Sequence, residues 1–230
     1  MKNFIFIILP ILFNSKITGQ TPFVNTNPFP SHFFIENKGQ FDPILLDDQS
    51  QVVKPLFLYH DNHAQVAILK NGFAISNGHN RFFQKFESAN SDAIIHSEGQ
   101  STFYYSYGDQ NTKSYGYSKI VLQNFYPNID LNYEIQPNLS GFKYSFVVHP
   151  GGNTQSIRWQ ISPKSQTEIS VDASMVSQLS YMQVSQTQWK IFQCDSQLIP
   201  FLIQKNQSEY TLDVTHYNPN QTLIIDPWVN

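Results

Sequence analysis

The chain carries a single cysteine, Cys194, in 230 residues, so no internal disulfide can form and the fold must rest on its own core. Charge is scarce as well. Lys and Arg number 14 against 17 Asp and Glu, 13% of the chain in all, for a formal net charge of −3. No block of Lys or Arg occurs, which argues against a nucleic-acid partner or an anionic membrane surface, since both require clustered positive charge. The prominent apolar run, Phe4 to Phe13, is ten residues long, about half of the roughly 20 needed to span a bilayer. Convincing helical periodicity is missing from every 11-residue window, with Met175 to Met182 the one ambiguous stretch, and no repeat of 20 to 50 residues stands out.

Aromatic residues are abundant instead, 15% of the chain with 19 Phe and 12 Tyr, and they argue against disorder. Asn and Gln account for 42 residues, so the polar surface is largely amide. At the N-terminus, Lys2 and the short apolar run, followed by Thr18-Gly19-Gln20, read as a signal peptide over 1–19. No Cys follows the run, which excludes a lipid anchor on a new N-terminal Cys. The mature chain is thus expected to be secreted, with no transmembrane span. Residues 20–31, with three prolines in Thr21 to Pro30, form an extended leader, and 32–230 the folded domain.

Within that domain, short β-branched and aromatic runs recur between Gly, Pro and Asn, which predicts an all-β fold of antiparallel sheets packed in the manner of a β-sandwich. The polar gap Gly108 to Ser114 leaves room for two lobes divided near 108–118. Ile129-Asp130-Leu131-Asn132-Tyr133-Glu134-Ile135 and Phe142-Lys143-Tyr144-Ser145-Phe146-Val147-Val148 flank turn chemistry and predict a hairpin. Its register sets Leu131 opposite Phe146, Tyr133 opposite Tyr144, and Glu134 opposite Lys143. A second hairpin is predicted from Val66 to Ile75, with Asn71-Gly72 as a type I′ turn. Asp226 before Pro227 is expected to end the last strand.

Four segments then form a pattern. Phe34-Ile35-Glu36-Asn37-Lys38-Gly39-Gln40 resembles the opening "F-x-E-N-x-G-Q" of a domain of unknown function found at the N-terminus of large secreted bacterial surface proteins of Bacteroidetes type. Tyr126-Pro127-Asn128-Ile129-Asp130-Leu131 resembles its "Y-P-x-I-D-L", and Tyr144 to Gly152 its "Y-D-F-x-V-x-P-G-A", with Ser145 and Gly152 departing. Leu223-Ile224-Ile225-Asp226-Pro227 matches its closing "L-x-I-D-P". The resemblance implies an extracellular or cell-surface protein whose downstream partners are SBBP or propeller-type repeats, other β-modules or gliding-motility-associated C-termini. It transfers no catalytic residue.

For chemistry, His60-Asp61-Asn62-His63 offers two imidazoles and a carboxylate, but a strand-connecting turn splays them, so no metal is expected. His149-Pro150-Gly151-Gly152 lacks a G-x-S-x-G partner. Asp130 and Glu134 on one strand face stand roughly 13 Å apart at strand rise, too far for a glycosidase pair, and Asp47-Asp48 offers no partner at a defined distance. Cys194, beside Phe192, has no local base and reads as a passive thiol. The expectation is a non-catalytic structural or adhesion-type module with no cofactor. The alternative is a carbohydrate- or polymer-binding module using Tyr104, Tyr105, Tyr107, Tyr115 and Tyr117, because sugars stack on exposed aromatic rings beside amides. A glycoside hydrolase or other hydrolase is the third reading.

Overall fold

Strict alternation of apolar residues along Ile129–Glu134, and an apolar face of Phe142, Tyr144, Phe146 and Val148 on the next segment, produce the pairing that they predict. In the computed structural model, Ile129 lies opposite Val148, Leu131 opposite Phe146, Tyr133 opposite Tyr144, and Glu134 opposite Lys143. The structure describes residues 33–45, 52–61, 64–106, 113–136, 139–163, 167–193 and 197–230. The segments read as signal peptide and leader lie outside them, as do Asp47, Asp48, Asn62, His63, Tyr107 and Cys194.

The strands in chain order are β1 (Phe34–Glu36), β2 (Ile44–Leu45), β3 (Val52–Val53), β4 (Phe57–Asp61), β5 (Ala64–Leu69), β6 (Gly72–Ser76) and β7 (Arg81–Phe86). Two long ones follow, β8 (Ile94–Ser106) and β9 (Lys113–Tyr126), then the hairpin β10 (Ile129–Glu134) and β11 (Phe142–Val148). The rest are β12 (Arg158–Ser162), β13 (Thr167–Ile169), β14 (Met175–Leu179), β15 (Met182–Gln193), β16 (Gln197–Leu198), β17 (Phe201–Asn206), β18 (Glu209–Val214) and β19 (Leu223–Val229). The ambiguous Met175 to Met182 stretch is therefore strand, a turn, and the start of another strand.

All strand pairs are antiparallel, and the fold class is all-β as predicted. The ladder runs β17-β18-β12-β7-β6-β5-β4-β1-β9-β10-β11-β19-β15-β14-β13, with β8 on the other side of β9 and β16 on β15. Instead of the expected sandwich of separate sheets, this is one large sheet that curls until it is nearly barrel-shaped, with β2 and β3 as a small second sheet. Residues 31–230 make one compact unit. The polar gap lies between β8 and β9, which pair with each other from Ser106 opposite Lys113 onward.

Curling brings strands from opposite walls into contact. Phe73 on β6 meets Phe142 on β11 with ring centroids 5.1 Å apart, and Phe86 on β7 meets Phe146 at 5.2 Å, both edge to face. Trp159 lies stacked between Trp189 and Tyr210, at 5.9 and 5.8 Å. The interior is therefore a packed core. It also contains a closed ring of hydrogen bonds: Gln84 Nε2 donates to the Tyr144 hydroxyl (3.1 Å), which donates to Gln186 Oε1 (2.8 Å), and Gln186 Nε2 donates back to Gln84 Oε1 (2.7 Å). All three side chains are buried, and the ring ties β7, β11 and β15 together.

A smaller apolar cluster sits apart from this core, built from Ile35, Phe41, Leu58, Ala67, Leu69, Ala74 and Phe83, with Ile44 and Val53 packed against it. The strands β4 to β6 thus bury residues of both parities, which explains the unbroken apolar run Val66 to Leu69.

Two local expectations change. Leu69 pairs with Gly72, so Lys70-Asn71 makes the second hairpin's turn, and neither residue has positive φ. Gly72 is required for a different reason: a Cβ there would collide with the backbone carbonyl oxygen of Gln84. The last strand also does not stop at Asp226 but continues through Pro227 to Val229. Proline is accommodated because β15 bulges opposite it, between Thr187 and Lys190, so Pro227 has no ladder partner there that needs its missing N–H.

Candidate functional site

The first motif folds into a loop held by its own side chains. Asn37 Oδ1 accepts the backbone N–H of Gly39 (2.9 Å) and of Phe41 (3.3 Å), while its Nδ2 donates to the carbonyl of Pro55 (2.8 Å). Gln40 accepts the N–H of Lys38 (2.7 Å) and donates to the carbonyl of Glu36 (2.6 Å). Gly39, at φ +112°, makes the bend that a side chain would strain. This loop delivers Phe41 into the smaller cluster.

The next two motifs meet at one corner. Asn128, at φ +58°, turns β9 into β10, and Asp130 Oδ1 accepts the N–H of Asn124 (2.8 Å). Asp130 Oδ2 lies 2.8 Å from His149 Nε2. The backbone N–H of His149 donates to the carbonyl of Asn128 (2.9 Å). The His–Asp pair joins two turns, and among the described residues no hydroxyl hydrogen-bonds to His149. The other histidine group divides: His60 lies on β4, where burial lowers its pKa, and Asp61 accepts the Ser140 hydroxyl (2.6 Å) and the Gly141 N–H (2.8 Å). Among the described residues no group of three or more His, Cys, Asp and Glu is placed to hold a metal ion.

The tyrosines expected to cluster around the polar gap, Tyr107 aside, are distributed over three environments. Tyr104 on β8 and Tyr115 on β9 are cross-strand partners with ring centroids 6.2 Å apart, and Tyr104 is 48% exposed. Lys113 Nζ lies 4.4 Å from the centroid of the Tyr104 ring, and Lys38 Nζ lies 6.0 Å from that of Tyr115. Tyr105 instead packs against the smaller cluster, its hydroxyl buried and unpartnered, and burial raises its pKa. Tyr117 turns toward the main core, edge-on to Phe57 at 6.2 Å. Among the described residues of this set, Tyr104 and Tyr115 remain together as a candidate ligand surface. Alternation could have separated Tyr104 from Tyr105, which as neighbours on one strand point to opposite faces.

A site that sequence reasoning missed lies on the outer side of β10, β11, β19 and β15. Glu134 faces Lys143, Lys143 pairs with Trp228, and Asp226 pairs with Lys190. The Lys143 amine does not go to Glu134 as its register suggested; it lies 3.3 Å from Asp226 Oδ2. The Asp226 side chain is 16% exposed, and its Oδ1 is buried without a partner. Burial raises the Asp226 pKa and the charge of Glu134 adds to the rise, while Lys143 and Lys190 oppose it. Beside this row runs an open groove of about 440 Å³, lined in part by Lys143, Thr187, Lys190, Asp226 and Trp228.

A family model described as a domain of unknown function, DUF7948, matches residues 34–228. The chain belongs to this family. No curated protein and no solved structure matches the chain. The DUF7948 match opens on the first residue of β1 and closes in β19, so it takes in every strand of the large sheet. Within it, the polar residues of the recurrent motifs hold turns and strand neighbours: Asn37 and Gln40 one loop, Asp130 and His149 a corner, and Asp226 the neighbouring β11 through Lys143.

Proposed function

We propose that this DUF7948 domain is a non-catalytic module of an exported bacterial surface or extracellular protein, released from its signal peptide near Gln20. It stands ahead of further β-modules or repeats and acts as a structural or adhesion-type unit. The observation that supports this reading most is the use of the motif side chains. Asn37, Gln40 and Asp130 point their polar atoms at backbone groups or a neighbouring side chain of the same fold. Such an arrangement rigidifies a scaffold, whereas a catalytic group must present an atom to a substrate.

Saccharide binding is the second reading, supported by the exposed Tyr104 and its half-buried partner Tyr115 with two lysines beside them. Expression with export, N-terminal sequencing, and a screen of the purified chain on substrate panels and a glycan array test both. A new N-terminus near Gln20, with no turnover, is the expected result. An intact Met1 on exported protein overturns the compartment. Turnover abolished by His149→Ala or Asp130→Asn makes the domain a hydrolase, and glycan binding lost in Tyr104→Ala makes it a binding module.

A further inference from the structure

The outer charged row brings an amine and a carboxyl group into direct contact. Lys143 on β11 and Asp226 on the adjacent β19 are separated by 83 residues in sequence, yet their Nζ and Oδ2 lie 3.3 Å apart. That is an ion-pair contact, and it holds the amine beside the carboxyl group whose carbon it would attack. The frame here is rigid: both strands sit inside the sheet, β11 between β10 and β19, and β19 between β11 and β15. A simple ion pair would gain most with both carboxylate oxygens satisfied, but Asp226 Oδ1 is buried with no partner. Glu134, opposite Lys143 on β10, supplies a second carboxylate on the same face, with no ion pair of its own among the described residues.

We propose that Lys143 and Asp226 condense to an intramolecular isopeptide bond, with Glu134 as the proton relay. Within the ion pair the Lys143 ammonium first passes a proton to the Asp226 carboxylate, and the freed amine then attacks Cγ, forming the C–N bond. Glu134 takes the proton that the nitrogen sheds and returns it to the departing hydroxyl, which leaves as water into the adjoining groove. Ammonium and carboxylate thus become amide and one water, and Glu134 is unchanged. No oxidant or cofactor enters. Burial favours the step from the carboxyl side, because it disfavours the ionised form that resists attack. The Asp226 carbonyl oxygen of the product would carry no charge, which suits the site of the unpartnered Oδ1 better than a carboxylate does.

The inference is independent of whether the domain binds a glycan, and mass spectrometry of the full chain, purified folded, tests it. The intact mass should be lighter by one water than its sequence requires, and a digest should yield the Lys143 and Asp226 peptides joined. Lys143→Arg, which keeps the positive charge but has no comparable nucleophilic amine, should show the full mass at unchanged circular dichroism. Glu134→Gln should lower the cross-linked fraction at least tenfold under the same incubation. Full mass in the folded wild type leaves an ion pair only and overturns the proposal. A cross-link that maps to Lys190 overturns the assignment to Lys143, and one that forms at the same rate in Glu134→Gln overturns the relay.

Discussion

Removing one oxygen from the core should cost more than its size suggests. Tyr144→Phe keeps the ring and its contacts with Phe73, Phe86 and Trp189 but deletes the hydroxyl that accepts from Gln84 and donates to Gln186. Two buried amide groups are then each short of a partner, at about 1–3 kcal/mol apiece. The phenol no longer has to be desolvated, which returns about 1–3 kcal/mol. The net expectation is a loss of about 2–3 kcal/mol, which for a domain of this size lowers the melting temperature by about 4–12 °C. Replacing the whole ring, Gln84→Leu with Tyr144→Phe and Gln186→Leu, leaves nothing unsatisfied. It should therefore lie at least 1 kcal/mol, roughly, above the sum of the three single changes. Urea unfolding followed by the fluorescence of Trp159 and Trp189 reads both quantities. A Tyr144→Phe loss below about 0.5 kcal/mol, or a triple variant whose loss is additive, would refute the claim that the ring acts as a unit.

Leu131→Ala should destabilise by about 2–5 kcal/mol, because Leu131 is fully buried; surface-like behaviour in urea titration would contradict the hairpin register. Gly72→Ala should disrupt the β6–β7 pairing, since the added Cβ meets the Gln84 carbonyl, and a folded variant with wild-type stability would show that this approach is loose. Alkali should unfold the domain: burial, with Asp61 nearby, raises the Tyr59 pKa from 10.0 to about 12, and burial also raises Tyr126, Tyr133 and Tyr144. Above pH 10 the unfolded chain releases protons that the fold retains, so stability falls as pH rises, by about 1.4 kcal/mol per pH unit for each such tyrosine. Tyrosinate absorbance should rise together with loss of the β signal; all twelve tyrosines titrating near pH 10 in an intact fold would count against it. Acid works on His60 in the opposite sense: its lowered folded pKa means that stability declines as pH drops below 6.5. His60→Gln should flatten that limb in a pH series of melting temperatures, and an unchanged limb would remove His60 from the account.

The hairpin β10–β11 was legible because alternation and turn residues agree, and a slip of one residue would turn its apolar set outward. Sheet curvature was not, since it depends on which distant strands pair, and alternation alone is the same in a sandwich and a barrel. Amide residues were read collectively as surface, and Gln84 and Gln186 depart from that reading. Only the facing Tyr144 makes them core, and nothing local to either glutamine records that neighbour. Tyr117 was misjudged for a related reason: its strand is partly covered by β1 and Phe57, which come from far upstream. Pro227 read as a strand end because the bulge that accommodates it lies on another strand. The candidate sites depended still more on non-local placement, as the Lys143–Asp226 contact joins motifs that sequence order keeps apart.

The position of β19 has a consequence for assembly. Leu223–Val229 comes last among the described strands, yet it is an interior strand, flanked by β11 and β15. A ribosome builds the chain from the other end, so β11 and β15 can pair with β10 and β14 but each keeps one edge bare until β19 is made. The sheet has a keystone, and it arrives after every other stone. Until then the nascent chain holds open edges lined by Phe142, Phe146 and Ile191, the kind of surface that holdase chaperones capture. A chain released before Leu223 should lack the joint between β11 and β15 and leave both of those edges open.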